Sequence, residues 1–496
     1  MTGTDDSPAF ARARSEFDVV VGFLGGEAAA GLTHAELETE LGARGRELLR
    51  QLYQDHLDLR AEREVRLPEV VGADGVARHY AEDGHRRPLA TVFGQVTLGR
   101  IAYRRKGEAN LHPADGALNL PTERHSHGLR RLAAVEASRG SFEEAAGAVE
   151  RATATRVGKR QVEELAARSA ADVEAFYEAV GREGAEDGDV LVISADGKGI
   201  VMRPGSLRAA TERAAAGATT KLKGRLSKGE KPNRKRMATV GAVYDLAPEP
   251  RTATDVLASD RDKPSAPRAK AKWLTASVAE DAAEVVGRVF DEAQRRDPGQ
   301  QRRWVALVDG NNHQIDRIQA EAARRKVSVA VVVDLIHVLE HLWGAAWCFF
   351  REGDSAAEAW VHDRALAVLE GRVGDVAAGI RRRATTAGLA ATKRKKADDA
   401  ARYLTNKAPY LDYPTALAAG WPIATGVIEG ACRHLVKDRM DITGARWSVV
   451  GAEAVLKLRA VRCNGDFDAY WRFHLDQERH RVHESRYADG AIPTTA

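Results

Sequence analysis

The chain has 496 residues, 44% of them hydrophobic, and its 75 Lys and Arg against 71 Asp and Glu leave a formal net charge of +4. The length suits two to four domains. No stretch approaches the roughly 20 uninterrupted apolar residues of a membrane span, which argues against a membrane protein. Because the charges nearly cancel, only local basic patches can indicate nucleic-acid binding.

The three cysteines, Cys348, Cys432 and Cys463, are far apart and form no Cys-x-x-Cys pair. This spacing excludes a cysteine-based zinc finger and fits a reducing cytoplasm. The N-terminus lacks a basic region followed by an apolar one, so we expect no secretory signal and a cytoplasmic protein.

Residues 1–185 are predicted to form a helical region that contains one β-hairpin. Thr33, followed three residues later by Glu36, is a capping box before leucines at helical spacing. Apolar residues then alternate over 85–105, which predicts a hairpin broken by Gly94 and Gly99.

Residues 141–166 predict two short helices around a tight turn. Ser141 caps the first helix, and bases lie at the start of the second. The pattern suits a DNA-binding helix-turn-helix, or equally two packing helices of an α-rich module.

Residues 186–345 alternate strands and helices. "DVLVISADGKGIVM" predicts two short strands around an Asp-Gly turn, "MATVGAVYDLAP" a third, and "WVALVDG" and "VSVAVVVD" two more between helices. The order β-β-β-α-β-α-β-α predicts an α+β or α/β core with a mixed sheet, and it is the order of an RNase H-like fold.

The rest of the chain is predicted to be helical. Residues 346–420 form an all-α insertion, 421–463 the final core helix, and 464–496 a C-terminal tail with a disordered end. A basic insert, 203–236, carries Lys221, Lys223 and Arg225 and is either a solvated linker or a phosphate-binding segment.

Asp196 and Asp309 each end an apolar strand and precede a glycine. Asp-Gly after a strand is a common turn signal. Acids on neighbouring strand ends also repel each other unless a cation lies between them, and oxygen ligands favour Mg²⁺ or Mn²⁺. For either Asp taken alone, a turn residue is the favoured interpretation. The two together favour a metal site.

The stretch "TGVIEGACRHLVKDRMDITGARWS" surrounds one carboxylate, Glu429, with bases. A helix over 427–439 would make one apolar stripe, comprising Ile428, Ala431, Cys432, Leu435 and Val436. Glu429, Arg433 and Lys437 then form a flanking ridge. Glu429 is either a third metal ligand or the partner of Arg433 in an ordinary ion pair. Trp447 either stacks on a base or closes the core.

That stretch closely resembles the catalytic block of bacterial insertion-sequence transposases of the Kra type. "SADGKG", "LVDGNNHQI", "VVDLIHVLEHLW" and "NGDFDAYWRFH" follow the same family in the same order. The resemblance covers roughly residues 85–487, and its glutamate block is the specific part.

The resemblance implies a DDE transposase with an RNase H-like core. It implies that Asp196, Asp309 and Glu429 bind two Mg²⁺, with Mn²⁺ as a substitute, and that Asp334 and His337 are structural residues next to them. Asp334 is the reserve candidate for second aspartate. Some relatives carry a zinc ribbon built on cysteine pairs after the hairpin. This chain has no cysteine there, so no zinc is expected.

The implied partner is double-stranded DNA, both the terminal inverted repeats of the element and the target. The implied assembly is a homodimer or a larger complex on DNA, in a bacterial cytoplasm at the nucleoid. The residues assigned to DNA in the glutamate block are Arg433, His434, Lys437, Arg439, Arg446 and Trp447. The alternatives are a domesticated, catalytically silent DNA-binding relative and an RNase H-like nuclease without strand transfer.

Overall fold

The computed structural model of the chain describes residues 8–181, 188–217, 234–258, 267–442 and 444–494. These residues fall into two compact units, the first combining 1–179 with 465–496 and the second comprising 180–464. Helices dominate both units, and the second contains a five-stranded mixed sheet, so the prediction of an α+β protein is confirmed. Among the described residues, no helix combines the length and the apolar character that crossing a membrane requires.

Unit 1 begins with a helical hairpin. Its helices are α1 (Ala11–Leu24), the short α2 (Glu27–Ala30) and α3 (His34–Glu62). The predicted capping box is confirmed, because the Thr33 hydroxyl accepts the Glu36 N–H and the Glu36 carboxylate accepts the Thr33 N–H. This exchange satisfies two backbone donors at the start of α3.

A two-stranded antiparallel hairpin follows the short strands β1 (Val70–Val71) and β2 (Ala77–Arg78). Its strands are β3 (Tyr80–Thr91) and β4 (Gly94–Arg104), so the predicted hairpin exists but begins earlier, at Tyr80. Gly94 has φ +124° at the turn, which favours glycine. Gly99, expected to break the hairpin, instead lies within β4 and pairs with Arg86.

Five further helices complete this part of unit 1: α4 (Pro113–Ala117), α5 (His127–Arg139), α6 (Phe142–Thr153), α7 (Lys159–Arg168) and α8 (Val173–Ala179). α6 and α7 are the two helices predicted around a turn, and Ser141 caps the first with a capping box. α5 packs on both. Two helices around a turn are therefore present, and their identity as a DNA-binding helix-turn-helix stays a prediction.

The sheet of unit 2 has the strand order β7-β6-β5-β8-β9. Its strands and the helices between them are β5 (Val190–Val201), α9 (Ala209–Ala216), β6 (Lys235–Leu246), α10 (Ala253–Leu257), β7 (Ala269–Ser277), α11 (Ala282–Arg296), β8 (Trp304–Val308), α12 (Asn312–Arg325) and β9 (Val329–Val333). β5, β6 and β7 pair antiparallel, whereas β8 and β9 run parallel to β5.

Two strand predictions were wrong. The two short strands predicted around Asp196 are one strand, β5, paired without interruption to β6 from Val190 to Val201. β7 was missed altogether, because three of its first four residues are exposed and its sequence "AKAKWLTAS" has apolar character only in its second half.

Helices occupy the rest of unit 2: α13 (Leu335–Ala346), α14 (Ser355–Leu369), α15 (Val373–Thr386), α16 (Ala391–Lys407), α17 (Tyr413–Ala418), α18 (Gly426–Ala431), α19 (Asp438–Met440) and α20 (Val449–Cys463). The predicted all-α character of residues 346–420 is therefore observed.

The C-terminal segment differs from the predicted tail. α21 (Phe467–Val482) belongs to unit 1, where Tyr470 and His474 are fully buried. Its aromatic residues pack with Phe176 of α8, so apolar burial makes this predicted tail part of unit 1.

Candidate metal centre

Three aspartates lie at one edge of the mixed sheet of unit 2. The parallel register pairs Ile193 of β5 with Ala306 of β8, and Val308 of β8 with Val333 of β9. Continuing that register sets Asp196 level with Asp309, and Asp309 level with Asp334. The carboxyl ends of parallel strands are where open sheets bind their ligands.

Asp196 does not reside in the predicted Asp-Gly turn. It lies inside β5, opposite Val240 of β6, and Gly197 pairs with Thr239. β8, the neighbour of β5 on the side away from β6, ends at Val308 and therefore stops short of the level of Asp196. The backbone is therefore held rigidly by β6 while the side chain stays half-buried at the sheet edge.

Glu429 reaches the same edge from α18. The Cys432 thiol, just after this helix, donates a hydrogen bond of 3.2 Å to Asp196 Oδ2. The structure thus brings all three residues of the predicted triad to a single cleft of about 440 Å³. The cleft is lined by Asp196, Asp309, Glu429, His337, Glu340, Thr425, Cys432, Lys198, Arg433 and Lys437, among others.

The helix around Glu429 is not the regular one that the sequence predicted. A π-helical turn, Cys432–Lys437, separates α18 from α19. Wide turns of this kind recur at functional sites. The predicted buried stripe nevertheless exists, since Ile428, Cys432 and Leu435 are each at most 3% exposed. The predicted straight ridge of Glu429, Arg433 and Lys437 is interrupted by the wider turn.

The triad carboxylates have no cationic partner among the described residues, since none of their oxygens lies within ion-pair distance of a base. Arg433, the expected ion-pair partner of Glu429, lies 3.5 Å from Asp438 instead, and His434 lies 3.1 Å from the same carboxylate. The ordinary i,i+4 pair is therefore not formed. Lys198, Arg433 and Lys437 line the same cleft without forming an ion pair with these acids. A bound cation would lower the repulsion among the carboxylates.

Asp334 and His337 form a pair beside the triad. Asp334 is fully buried, and it accepts hydrogen bonds from the Ile336 N–H and the Thr425 hydroxyl. Its Oδ2 lies 3.2 Å from His337 Nδ1. One possible ligand atom each from Asp334, His337 and Glu429 lies within 4.8 Å of the others. The group could hold a metal ion, and Asp334 fixes the ring of His337.

Three residues that the sequence did not assign to the site hold its aspartates. Gln314 of α12 donates to Asp196 Oδ1 at 3.2 Å. The Tyr403 hydroxyl of α16 lies 3.3 Å from the Asp309 carbonyl, to which it donates. Burial raises the pKa of Tyr403, which keeps this hydroxyl a donor. Burial and the nearby Asp196 carboxylate raise the pKa of the Cys432 thiol, so it also stays protonated.

Tyr403 also fixes the turn after Asp309. Gly310 has φ +88°, and a Cβ there would lie only 2.7 Å from the Tyr403 hydroxyl. The ring of His341 stacks on Tyr403 at 3.9 Å between centroids. No sequence pattern could have identified Tyr403, because it lies 94 residues from Asp309 in the helical insertion.

The residues assigned to DNA divide into two groups. Arg433, His434, Lys437 and Arg446 are exposed. Trp447 and Arg439 are buried, with the Arg439 guanidinium 4.6 Å from the centre of the Trp447 ring. The Trp447 indole N–H donates to the Met440 carbonyl at 3.0 Å. Their burial corrects the assignment of these two residues to DNA and favours the packing alternative. Lys221, Lys223 and Arg225 lie outside the described residues.

No model of a known protein family matches the chain, and a search of curated proteins returned no match.

Proposed function

We propose that this chain is a DDE transposase of the Kra type of bacterial insertion sequences, which cuts the ends of its element and joins them to target DNA. The observation that carries the proposal is the convergence of Asp196, Asp309 and Glu429 in one cleft, with no cationic partner among the described residues. Acids that line one cleft without forming ion pairs repel each other, so their grouping indicates function more than stability.

The architecture of unit 2 supports an RNase H-like core. Three antiparallel strands come first in the chain, and two parallel strands extend the sheet beyond the first of them. This order, β7-β6-β5-β8-β9, is the one expected of that fold. It brings the first and fourth strands side by side, where the two aspartates of such a site belong.

The donor types of the cleft suit divalent cations, and the ligand atoms that approach within 4.8 Å of one another are those of Asp334, His337 and Glu429. Asp196, Asp309 and Glu429 would hold the cations, Mg²⁺ or Mn²⁺, since carboxylate oxygens suit hard cations. His337 lies beside Glu429 as a further candidate ligand, oriented by buried Asp334. When bound, two such cations activate the attacking oxygen and stabilise the leaving oxygen of a phosphodiester.

The remaining residues of the cleft position the acids and the DNA. β6 holds the backbone of Asp196, and Tyr403 holds that of Asp309. Lys198, Arg433 and Lys437 line the same cleft and are exposed, so they would bind backbone phosphates on both sides of the scissile bond. Such contacts position DNA without reading its sequence, and they weaken as salt rises.

The test uses labelled duplexes made from the DNA that flanks the coding sequence, incubated with the full-length protein and Mn²⁺. We expect nicking at a 3′ end of the element and products in which that end is joined to a second duplex. Hydrolysis without joined products would indicate a nuclease, and binding without cleavage would indicate a silent DNA-binding relative. Cleavage that survives Asp309→Asn would contradict the assignment of the triad.

A further inference from the structure

A second cavity of unit 2 is a groove of about 760 Å³ on a different face of α18 from the metal cleft. Residues of β6 and of the edge strand β7 line one side of the groove, and residues of α18 line the other. The groove shares no lining residue with the cleft that contains Glu429. Cavities of this size bind small molecules when apolar walls are combined with a few polar groups.

The walls of the groove are mostly apolar. Leu246 of β6, Leu274 of β7 and Val427 of α18 line it. Gly426 and Gly430 line it as well, four residues apart and therefore on one face of α18. A Cβ at either glycine would meet nothing within 4 Å. Glycine is less favourable than alanine inside a helix, so these two residues weaken α18 while they keep the groove open.

The groove contains an unused hydrogen-bonding group. Tyr244 of β6 lines it and is only 2% exposed. Its hydroxyl has no hydrogen-bond partner among the described residues. Burial raises the pKa of this hydroxyl, so it stays protonated and can donate. A buried hydroxyl without a partner is unfavourable, and an acceptor on a ligand would satisfy it.

The charges around the groove favour an anion. Arg268 and Lys272 line it, are exposed, and form no ion pair with the described residues. His434 lines it too and lies 3.1 Å from Asp438. None of the described lining residues is Asp or Glu. A carboxylate, sulfonate or phosphate group would therefore be attracted to this groove.

We propose that the groove binds a small organic anion. Its apolar body would lie between α18 and the sheet, its acidic group would contact Arg268 and Lys272, and an acceptor would receive the Tyr244 hydroxyl. Such a ligand would contact the helix that carries Glu429. The inference is independent of the DNA chemistry proposed for the metal cleft, since binding is measured without DNA or metal.

Fluorescence titration of the full-length protein with anilinonaphthalene sulfonate tests the proposal. Phenylnaphthylamine has the same ring system without the sulfonate, which makes it the matched neutral probe. We expect one saturable site for the sulfonate in this groove, with affinity at least about 10-fold higher than that of the neutral probe. Absence of saturable binding, or equal affinities for the two probes, would overturn the proposal.

Three variants locate the site. Gly430→Leu fills the groove and should weaken binding of the sulfonate at least about 30-fold, whereas Gly379→Leu, at a helical glycine of α15 that also has open space, should not. Arg268→Gln/Lys272→Gln changes only exposed side chains, so it guards against misfolding as the explanation. It should remove the preference for the sulfonate. Tyr244→Phe should weaken binding about 5-fold. Unchanged binding by Gly430→Leu, or an unchanged preference in the double variant, would contradict the proposal.

Competition distinguishes the sources of the anion. Free laurate, an apolar chain with one carboxylate, should displace the sulfonate probe from the wild type. Displacement by a single-stranded oligonucleotide but not by laurate would assign the groove to DNA. Displacement by phosphatidylglycerol vesicles but not by laurate would assign it to a membrane surface. Either of these two results would overturn the proposal of a small-molecule site.

Discussion

Two groups of converging acids, one in each unit, differ in how their charge is balanced. In unit 1, the fully buried Arg130 lies 3.1 Å from Glu123 and also pairs with Glu478. Asp172 lies 2.6 Å from His474 and 2.9 Å from Arg481. In unit 2, Asp196, Asp309 and Glu429 share a cleft and have no such partner among the described residues.

The comparison separates structural acids from functional ones. Burial alone would raise the pKa of Asp172, but hydrogen bonds from His474 and Arg481 hold it at about 2. Every acid of the unit 1 network thus has a base that compensates its burial. The three acids of the predicted triad lie at a sheet edge and form no ion pair, although Lys198, Arg433 and Lys437 line the same cleft, so their oxygens can bind a cation.

The largest expected effect comes from removing a charge in unit 2. Glu429→Gln should lower DNA cleavage by at least about 10³-fold, because it removes a group that acts on the transition state. The metal-free variant should melt no lower than the wild type, since one repelling charge is gone. Melting curves measure the stability of the variant, and gel assays measure its cleavage rate. Glu352→Gln, at an exposed position, is the control. A clear drop in melting temperature would make Glu429 a structural acid.

Removing a charge from the buried network of unit 1 should lower stability, in contrast to the Glu429 variant. Arg130→Met removes the buried partner that Glu123 and Glu478 share and leaves them only Arg168 and Arg481, which should lower the free energy of unfolding by about 1.5–3 kcal/mol. Arg131→Met breaks the exposed pair with Asp468 and should cost less than about 1 kcal/mol. Urea denaturation measures the free energy of unfolding of the Arg130 and Arg131 variants. Equal costs would show that the buried network does not stabilise unit 1.

Mild acid should weaken unit 1 through two histidines. Burial lowers the pKa of His127 and of His112 to about 4, from the usual 6.5 of histidine. Between these values the unfolded chain binds protons that the folded one does not, so the free energy of unfolding should fall as the pH drops from 6.5 to 4. His127→Gln should flatten this dependence, and the exposed His34→Gln should not. Denaturation midpoints at pH 7, 6, 5 and 4 measure it.

The smallest expected effect concerns the positioning of Asp309. Tyr403→Phe removes one hydrogen bond, worth about 1 kcal/mol, and should slow cleavage roughly 5- to 10-fold while leaving melting nearly unchanged. Tyr410→Phe removes a comparable 3.2 Å bond to Gln319, away from the aspartates, and should leave cleavage unaffected. If both variants cleave equally fast, Tyr403 has no positioning role.

Local patterns in the sequence predicted much of this architecture. Capping residues marked the starts of α3 and α6, and apolar runs marked β8 and β9. The buried stripe after Thr425 was correct because helical periodicity dictates which side chains face the core. Asp196, Asp309 and Glu429, three of the four acids of the cleft, were singled out from strand ends and helical spacing together with the family resemblance.

What the sequence missed depends on contacts between distant segments. β5 is one strand because β6 pairs with all of it, which overrides the local Asp-Gly turn signal. The π-helical turn at Cys432–Lys437 depends on tertiary contacts such as that of Arg459, which donates to the carbonyls of His434 and Leu435. α21 is ordered by aromatic packing in unit 1, which no local window contains.

Binding of Mn²⁺ to the full-length protein, followed by the electron paramagnetic resonance signal of the free ion, tests the central claim most directly. Wild type should bind Mn²⁺ saturably, and Asp196→Asn/Asp309→Asn/Glu429→Gln should lose that binding while its unfolding curve shows unit 1 intact. Undiminished Mn²⁺ binding by the triple variant would contradict the claim that these three carboxylates form a metal centre.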